Sequence, residues 1–213
     1  MRHLVGSLVA ILATTAISVV PFPALAQPGF IPVEALRQGG YVILLRHTTV
    51  FPLTQVSQDK YPMNLKECSA QVPLSDVGRE EARRIGRAFR ILGIPVGRVL
   101  ASPYCRTMET GLLAFGRAEP WDALLHPAYT PVAGAPVPPP PEKRVEETVQ
   151  MYRSATPGTN TILITHGEVI RAAAGFAMIQ GEAAIYRPDG NAFLLVARVL
   201  PTTWDAAVAE TRP

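Results

Sequence analysis

The chain has 213 residues, with 20 Lys and Arg against 17 Asp and Glu and a formal net charge of +3. This balance, without a basic run or interleaved aromatic residues, argues against a nucleic-acid-binding protein. Two cysteines without a CxxC motif exclude a zinc site built from cysteine alone.

The N-terminus has the organisation of a secretory signal peptide. A cationic start precedes an apolar run over residues 4–20, two prolines and the A-x-A site Ala24-Leu25-Ala26. We expect cleavage after Ala26 and a secreted or periplasmic protein of residues 27–213, the length of a single domain. The alternative is an uncleaved membrane anchor, because the run almost suffices to span a bilayer. No other apolar run is long enough to span.

The first half of the remaining chain predicts two strands and two long helices. After one helical turn at Val33–Arg37, the strand Tyr41–Leu45 is apolar on both faces, as in the centre of a parallel sheet. A long loop, 48–72, leads to a helix that Ser75 caps and Gly93 ends. A strand at Val96–Ala101 and a helix at Tyr104–Phe115 follow.

The second half predicts more of the same alternation. A proline-rich surface excursion near 127–141 precedes a helix at Glu142–Ser154. A strand at Thr161–Ile164, a helix at Val169–Ala177 and a hairpin of 183–186 with 192–199 complete the chain. The pattern predicts an α/β fold: a mainly parallel sheet with helices on both faces and a terminal hairpin.

Three predicted strands deliver polar residues where they end. The fragments "ILLRH", "VLASPYCRT" and "ILITH" carry Arg46 and His47, Arg106, and His166. The carboxyl ends of such strands are where α/β proteins bind ligands. Because the planar guanidinium matches phosphate oxygens and the helix near Tyr104 adds its positive end, we expect a phosphate site.

Four blocks together resemble the histidine phosphatase superfamily, with its phosphoglycerate-mutase-like fold. They are "LLRHTTV", "PLSDVGREEARRIGRAFRILG", "VLASPYCRTMETGLLAFG" and "ILITHGEVIRAAAG", in the order of the family and covering most of 41–175. The cysteine ahead of the second block and the "SPYCR" element resemble an exported subgroup of lipopolysaccharide core heptose phosphatase-like proteins.

The resemblance implies a phosphoric monoester hydrolase that forms a phosphohistidine. His47 would attack phosphorus in its neutral form, with its proton held on the far nitrogen. Arg46, Arg106 and His166 would neutralise the phosphoryl oxygens, and water would hydrolyse the adduct without a metal or other cofactor. The substrate would be a small-molecule or glycolipid phosphomonoester.

Two positions depart from the pattern of the family. Thr48 stands where glycine is common, and its hydroxyl could donate to phosphate. Three carboxylates remain as candidates for the general acid, namely Glu119, Asp122 and Glu168. A catalytically weak phosphate-ester-binding module and a phosphomutase stay open as alternatives.

Four further expectations concern the surroundings of this site. His126 is interpreted as a loop residue, and Arg46 and Arg106 are expected to serve the site instead of pairing with carboxylates. Cys68 and Cys105 are expected to form a disulfide in an exported protein, the alternative being two buried thiols. The 48–72 loop and the proline-rich excursion are expected to frame the mouth of the pocket.

Overall fold

A computed structural model describes residues 31–55, 58–154 and 156–211. The predicted signal peptide, 1–26, and its cleavage site lie outside the described residues. Within the described ranges, no helix has both the length and the apolarity needed to cross a bilayer.

Among the described residues, six strands form one sheet in the order β3-β2-β4-β1-β5-β6. The strands are β1 Val42–Arg46, β2 Val96–Ala101, β3 Glu119–Pro120, β4 Asn160–Thr165, β5 Ala183–Asp189 and β6 Ala192–Val199. β1 is parallel to β4, β4 to β2 and β2 to β3, whereas β5 and β6 form an antiparallel hairpin at the side of β1. The sheet is therefore mainly parallel, and the predicted fold class is confirmed.

Six α-helices within the described part of the chain cover this sheet. They are α1 Val33–Gln38, α2 Asp76–Ile91, α3 Cys105–Phe115, α4 Pro141–Met151, α5 Gly167–Ala174 and α6 Pro201–Ala209. The Ser75 side chain accepts a hydrogen bond from the Gly78 N–H at 3.1 Å and so caps α2, as its sequence predicts. Gly116 ends α3 in the left-handed conformation.

The central strand separates two apolar cores. Ile43 and Leu45 face a core that includes Phe89 of α2 and Trp204 of α6, whose rings lie 4.8 Å apart. Val42 and Leu44 face a second core with residues of α4 and α5. Because alternate residues of β1 are buried on opposite faces, both faces need helices, and the strand holds its carboxyl end rigidly.

Two elements and several boundaries differ from the sequence prediction: α4 ends at Met151 and not at Ser154, and β5 extends to Asp189. α5 ends at Ala174 and not at 177, because Gly175 turns the chain with a φ of 79°. The two-residue strand β3 and the helix α6 were not predicted. β3 is too short to show alternation, and the apolar residues of α6 lack a clear helical stripe.

Candidate active site

The four residues expected to form the phosphate site line one cleft of about 550 Å³. Arg46 ends β1, His47 follows it, His166 follows β4, and Arg106 lies in the first turn of α3 after β2. These three parallel strands are neighbours, so their carboxyl ends meet. The His47 and His166 ring centroids are 5.6 Å apart.

The His47 ring has a defined tautomer. Its Nδ1 lies 2.9 Å from the Thr48 carbonyl oxygen, which can only accept, so Nδ1 carries the proton. Nε2 therefore keeps its lone pair, and it is not a buried nitrogen that lacks a hydrogen-bond partner. Burial, and then the charge of Arg106, lower the His47 pKa from 6.5 to about 3. The imidazole is therefore neutral at neutral pH.

His166 is bound on both ring nitrogens. An Arg106 guanidinium nitrogen approaches Nδ1 at 3.3 Å, and Nε2 lies 2.9 Å from the Ser102 hydroxyl. Since arginine can only donate, Nδ1 is the acceptor and Nε2–H points to Ser102. Complete burial and the nearby Arg106 keep the His166 pKa well below its usual value. A phosphate oxygen could accept a hydrogen bond from Nε2–H only if it replaced the Ser102 hydroxyl as the acceptor.

Arg106 has a carboxylate partner that the sequence analysis did not anticipate. Its two terminal nitrogens donate to the two oxygens of Asp59, each at 3.0 Å. The expectation that Arg106 would not pair with a carboxylate is therefore wrong. The reason is that the 48–72 loop folds back over α3 and brings Asp59 to the guanidinium, a contact 47 residues apart in sequence. Arg106 nevertheless lines the cleft, whereas Asp59 does not.

Among the described residues, Arg46 makes no ion pair with a carboxylate. One terminal nitrogen donates to the Met178 carbonyl at 2.6 Å. The guanidinium lies over Gly167, where a Cβ would approach its central carbon to 3.1 Å. The glycine after His166 therefore leaves room for the arginine to reach the cleft.

Thr48 is buried and does not line the cleft. Its hydroxyl lies 3.3 Å from the hydroxyl of Thr110, on α3. Among the described residues only glycines have a positive φ, so threonine occupies this position without backbone strain. The structure thus does not bring the Thr48 side chain to the expected phosphate site.

Of the three carboxylates considered as the general acid, Glu168 alone lines the cleft. Glu119 lies in β3 and pairs with Arg98 at 2.8 Å, and Asp122 is exposed elsewhere. One Glu168 oxygen lies 3.1 Å from Nε2 of His126. That hydrogen bond is the largest of the causes that lower the Glu168 pKa from 4.5 to about 2.

His126 is a loop residue, as interpreted, but it also lines the cleft. Its Nδ1 accepts the Ala128 backbone N–H at 3.1 Å, so Nε2 carries the proton that Glu168 accepts. The described residues contain no group of three or more His, Cys, Asp or Glu side chains placed to hold a metal ion.

The remainder of the cleft wall comes mostly from the loop after His47. It consists of Thr49, Val50, Phe51, Pro52, Leu53, Val72 and Gln180. The expectation for the 48–72 loop is thereby confirmed, but no described residue of the excursion near 127–141 lines the cleft. Pro127 and Pro141, at the two ends of the excursion, instead border a separate cavity together with Arg144 of α4 and Val169 of α5.

Cys68 and Cys105 form the expected disulfide, with Cα atoms 5.7 Å apart. Cys105 begins α3 directly before Arg106, and its backbone N–H donates to the Gln71 side chain at 2.8 Å. The 48–72 loop is therefore attached to α3 at the residue that precedes the phosphate-site arginine.

The sequence analysis did not identify Asp59, Ser102 or Gln180 as residues of the site or its surroundings. It interpreted His126 only as a loop residue. Ser102 stands in the quoted "ASPYCRT" fragment, directly after the strand, and could have been found by the same argument as Arg106. Asp59, Gln180 and His126 lie in irregular segments without period, so only the folded chain shows that they converge.

Comparison with known proteins identifies the fold. No family model matches the chain, and no curated protein is similar enough in sequence to be matched. The structure is similar to that of the protein histidine phosphatase SixA complexed with tungstate, with a TM-score of 0.53 and 14% identity over 76% of this chain and 97% of that one.

Two further solved structures are similar to this chain to the same degree. YhfR of Bacillus stearothermophilus has a TM-score of 0.55 and 17% identity over 74% of this chain and 95% of that one. The alpha-ribazole phosphatase of Shigella flexneri has a TM-score of 0.54 and 15% identity over 76% and 96%. The chain thus has the α/β fold of histidine phosphatases, as its motifs predict.

Proposed function

We propose that the chain is an exported phosphomonoesterase that acts through a phosphohistidine on His47. The observation that carries this proposal is the hydrogen bond from His47 Nδ1–H to the Thr48 carbonyl, at 2.9 Å. It leaves the Nε2 lone pair as the nucleophile and keeps the ring in one orientation. Since the lowered pKa also keeps the ring neutral, no deprotonation is needed before attack.

Two displacements at phosphorus complete the reaction. In the first, Nε2 forms a bond to phosphorus while the bond to the ester oxygen breaks and the leaving group departs. In the second, a water oxygen attacks phosphorus of the phosphohistidine and the N–P bond breaks. This step regenerates neutral His47 and releases phosphate, which keeps the protons of the water. Arg46 and Arg106 stabilise the charge on the phosphoryl oxygens in both steps.

Similarity to structures described as phosphatases supports this reaction class, while the export of the protein is proposed from the signal sequence. The natural substrate is proposed only as a small-molecule or glycolipid phosphomonoester. The resemblance of the "SPYCR" element and the preceding cysteine to heptose phosphatase-like proteins makes a heptose phosphate one candidate for a substrate panel.

Trapping tests the mechanism. Purified protein incubated with a phosphomonoester labelled in phosphorus should give an acid-labile, base-stable adduct, and His47→Asn should give none. His47→Ala should abolish release of phosphate while the circular dichroism spectrum is retained. An adduct of equal yield in His47→Asn would contradict the proposal.

The same experiment separates the alternatives. A phosphate-ester-binding module would bind the ester saturably without an adduct. A phosphomutase would yield an isomer of the substrate, and not free phosphate. Of the three carboxylates considered as the general acid, Glu168 is the one that a bound ester could contact, but the hydrogen bond from His126 keeps it ionised.

A further inference from the structure

One side of the cleft is lined by apolar side chains. Val50, Phe51, Pro52, Leu53 and Val72 line it next to the histidines and arginines. This wall is held by the backbone: Val50 bridges Leu74, and the Phe51 N–H donates to the Pro73 carbonyl at 3.3 Å. The part of a substrate beyond its phosphate therefore meets a fixed apolar surface.

The Thr49 and Gln180 side chains of the lining already have hydrogen-bond partners, although the Gln180 amide N–H groups have none among the described residues. The Thr49 hydroxyl donates to Glu81 at 2.7 Å, and the Gln180 side-chain oxygen accepts the Val50 N–H at 3.2 Å. Hydroxyl groups of a bound sugar would lose water here and gain few replacements, which costs binding free energy. The wall thus favours a leaving group with an apolar body.

Among the described residues that line the cleft, no side chain holds an acidic proton ready for the leaving group. Glu168 is an anion at neutral pH, since it accepts the His126 Nε2–H and its pKa is about 2. Protonation of His126 would set an Nδ1–H against the Ala128 N–H that Nδ1 now accepts. The His166 Nε2–H is directed at Ser102. Arginine remains protonated and does not supply a proton.

A leaving oxygen that receives no proton must depart as an anion. A positioned general acid typically contributes about 10²–10⁴-fold to such a step. An ordinary alkoxide depends on that help, whereas a phenol, with a pKa of about 10, leaves far more readily as its anion.

We propose that the cleft selects phosphomonoesters of apolar, acidic hydroxyl compounds, of which aryl phosphates are the simplest class, over esters of sugars and alkyl alcohols. The selection rests on the proposed function, and it names the substrate class of the same site. Two independent observations support it: the apolar wall, and the engagement of Glu168 by His126.

Three esters separate the two contributions. Phenyl and benzyl phosphate both carry an aromatic ring but differ in the acidity of the leaving hydroxyl, and glycerol phosphate has a polar alkyl body. We expect kcat/KM for phenyl phosphate to exceed that for benzyl phosphate by about 100-fold or more. Benzyl phosphate should exceed glycerol phosphate by about tenfold, from apolar contact alone.

The outcomes are distinct. A phenyl-to-benzyl ratio below about 100 overturns the leaving-group argument, and hydrolysis of glycerol phosphate as fast as benzyl phosphate overturns the argument from the wall. Absence of hydrolysis and of a trapped adduct with all three esters would instead count against the proposed function itself.

Two variants sharpen the test. Glu168→Gln should leave the phenyl-to-benzyl ratio unchanged, and a fall of about 100-fold or more confined to benzyl phosphate would identify Glu168 as the acid and overturn the inference. Leu53→Ala should reduce the benzyl-to-glycerol ratio. Leu112→Ala, which removes an equally exposed leucine from α3 outside the cleft, should not change either ratio.

Discussion

Asp59 holds the guanidinium of Arg106 from outside the cleft. The two carboxylate oxygens each accept from a terminal nitrogen at 3.0 Å, and the side chains are only 12% and 7% exposed. One oxygen also accepts the Val72 N–H at 2.8 Å, so the carboxylate is itself fixed. Arg106 thus reaches the cleft in one orientation before any phosphate arrives.

Replacing Asp59 by Ala should lower kcat/KM by about 100-fold, because a small displacement of a group that stabilises the transition state has effects of that size. It should also destabilise the fold by about 3–5 kcal/mol, since the Arg106 charge remains buried without its partner. Asp59→Asn should recover part of both losses. Activity is measured with phenyl phosphate, and stability by urea unfolding.

Glu109→Ala provides the control for Asp59→Ala. Glu109 is also the partner of an arginine, Arg79, at 2.7 Å, and it lies on α3 outside the cleft. Its loss should leave kcat/KM within about threefold and cost about 1 kcal/mol or less, because the pair is partly exposed. Equal losses of activity in the two variants would show that Asp59 has no special relation to the site.

Thr48→Val tests whether the hydroxyl of Thr48 contacts phosphate. Because that hydroxyl lies against Thr110 and the side chain does not line the cleft, we expect KM and the inhibition constant of inorganic phosphate to change less than about threefold. The fold should lose about 1 kcal/mol. A large rise in both constants, with unchanged stability, would place the hydroxyl on the phosphate after all.

Motifs at the ends of regular strands could be predicted well from the sequence. Arg46 and His47 follow an apolar strand whose neighbours in the sheet end at the same edge, so local pattern and general topology suffice to bring them to Arg106 and His166. The disulfide could be anticipated from the predicted export, and the positions of Cys68 in the 48–72 loop and Cys105 at the start of the predicted helix already imply that it joins the two.

The electrostatic partners could not be predicted in this way. Asp59 and His126 are in irregular segments, and their positions depend on how long loops cross the sheet edge, which no short period encodes. The neighbours of His126 in the sequence, Leu125 and Pro127, indicate only a loop. Its position is set by contacts with Glu168 and Ala128. Glu119 and Asp122 do not line the cleft, which their places in the sequence likewise do not reveal.

The pH dependence of stability should reveal the buried, neutral His47. Its pKa is about 3 in the folded chain and about 6.5 when unfolded, so between these values the unfolded chain binds the additional proton. Stability should therefore fall as the pH falls, by about 2 kcal/mol from this residue between pH 6.5 and pH 5.

His47→Gln should remove that contribution. The decrease in melting temperature from about pH 7 to about pH 5 should be smaller in the variant than in the parent chain. His166 should account for part of the decrease that remains, since its pKa is lowered too. Parallel curves for the two proteins would show that His47 is not held neutral by burial.

The disulfide should couple stability to activity. Cys68 and Cys105 are 37 residues apart, so in the chain-entropy model the bond stabilises the fold by about 3–4 kcal/mol. Asp59 lies in the loop that the bond attaches to α3, and Arg106 follows Cys105 directly. Cys68→Ser with Cys105→Ser should therefore lower the melting temperature and reduce kcat more than it raises KM, because Arg106 loses its fixed orientation.

Reduction of the parent protein with dithiothreitol separates this effect from that of the substitutions. The reduced parent should match the double serine variant in melting temperature and kcat, and reoxidation should restore both, whereas the variant should not respond to either treatment. Unreduced protein should contain no titratable thiol after denaturation. Full activity in the reduced parent, together with a lowered melting temperature, would limit the bond to a role in stability and leave the orientation of Arg106 to Asp59 alone.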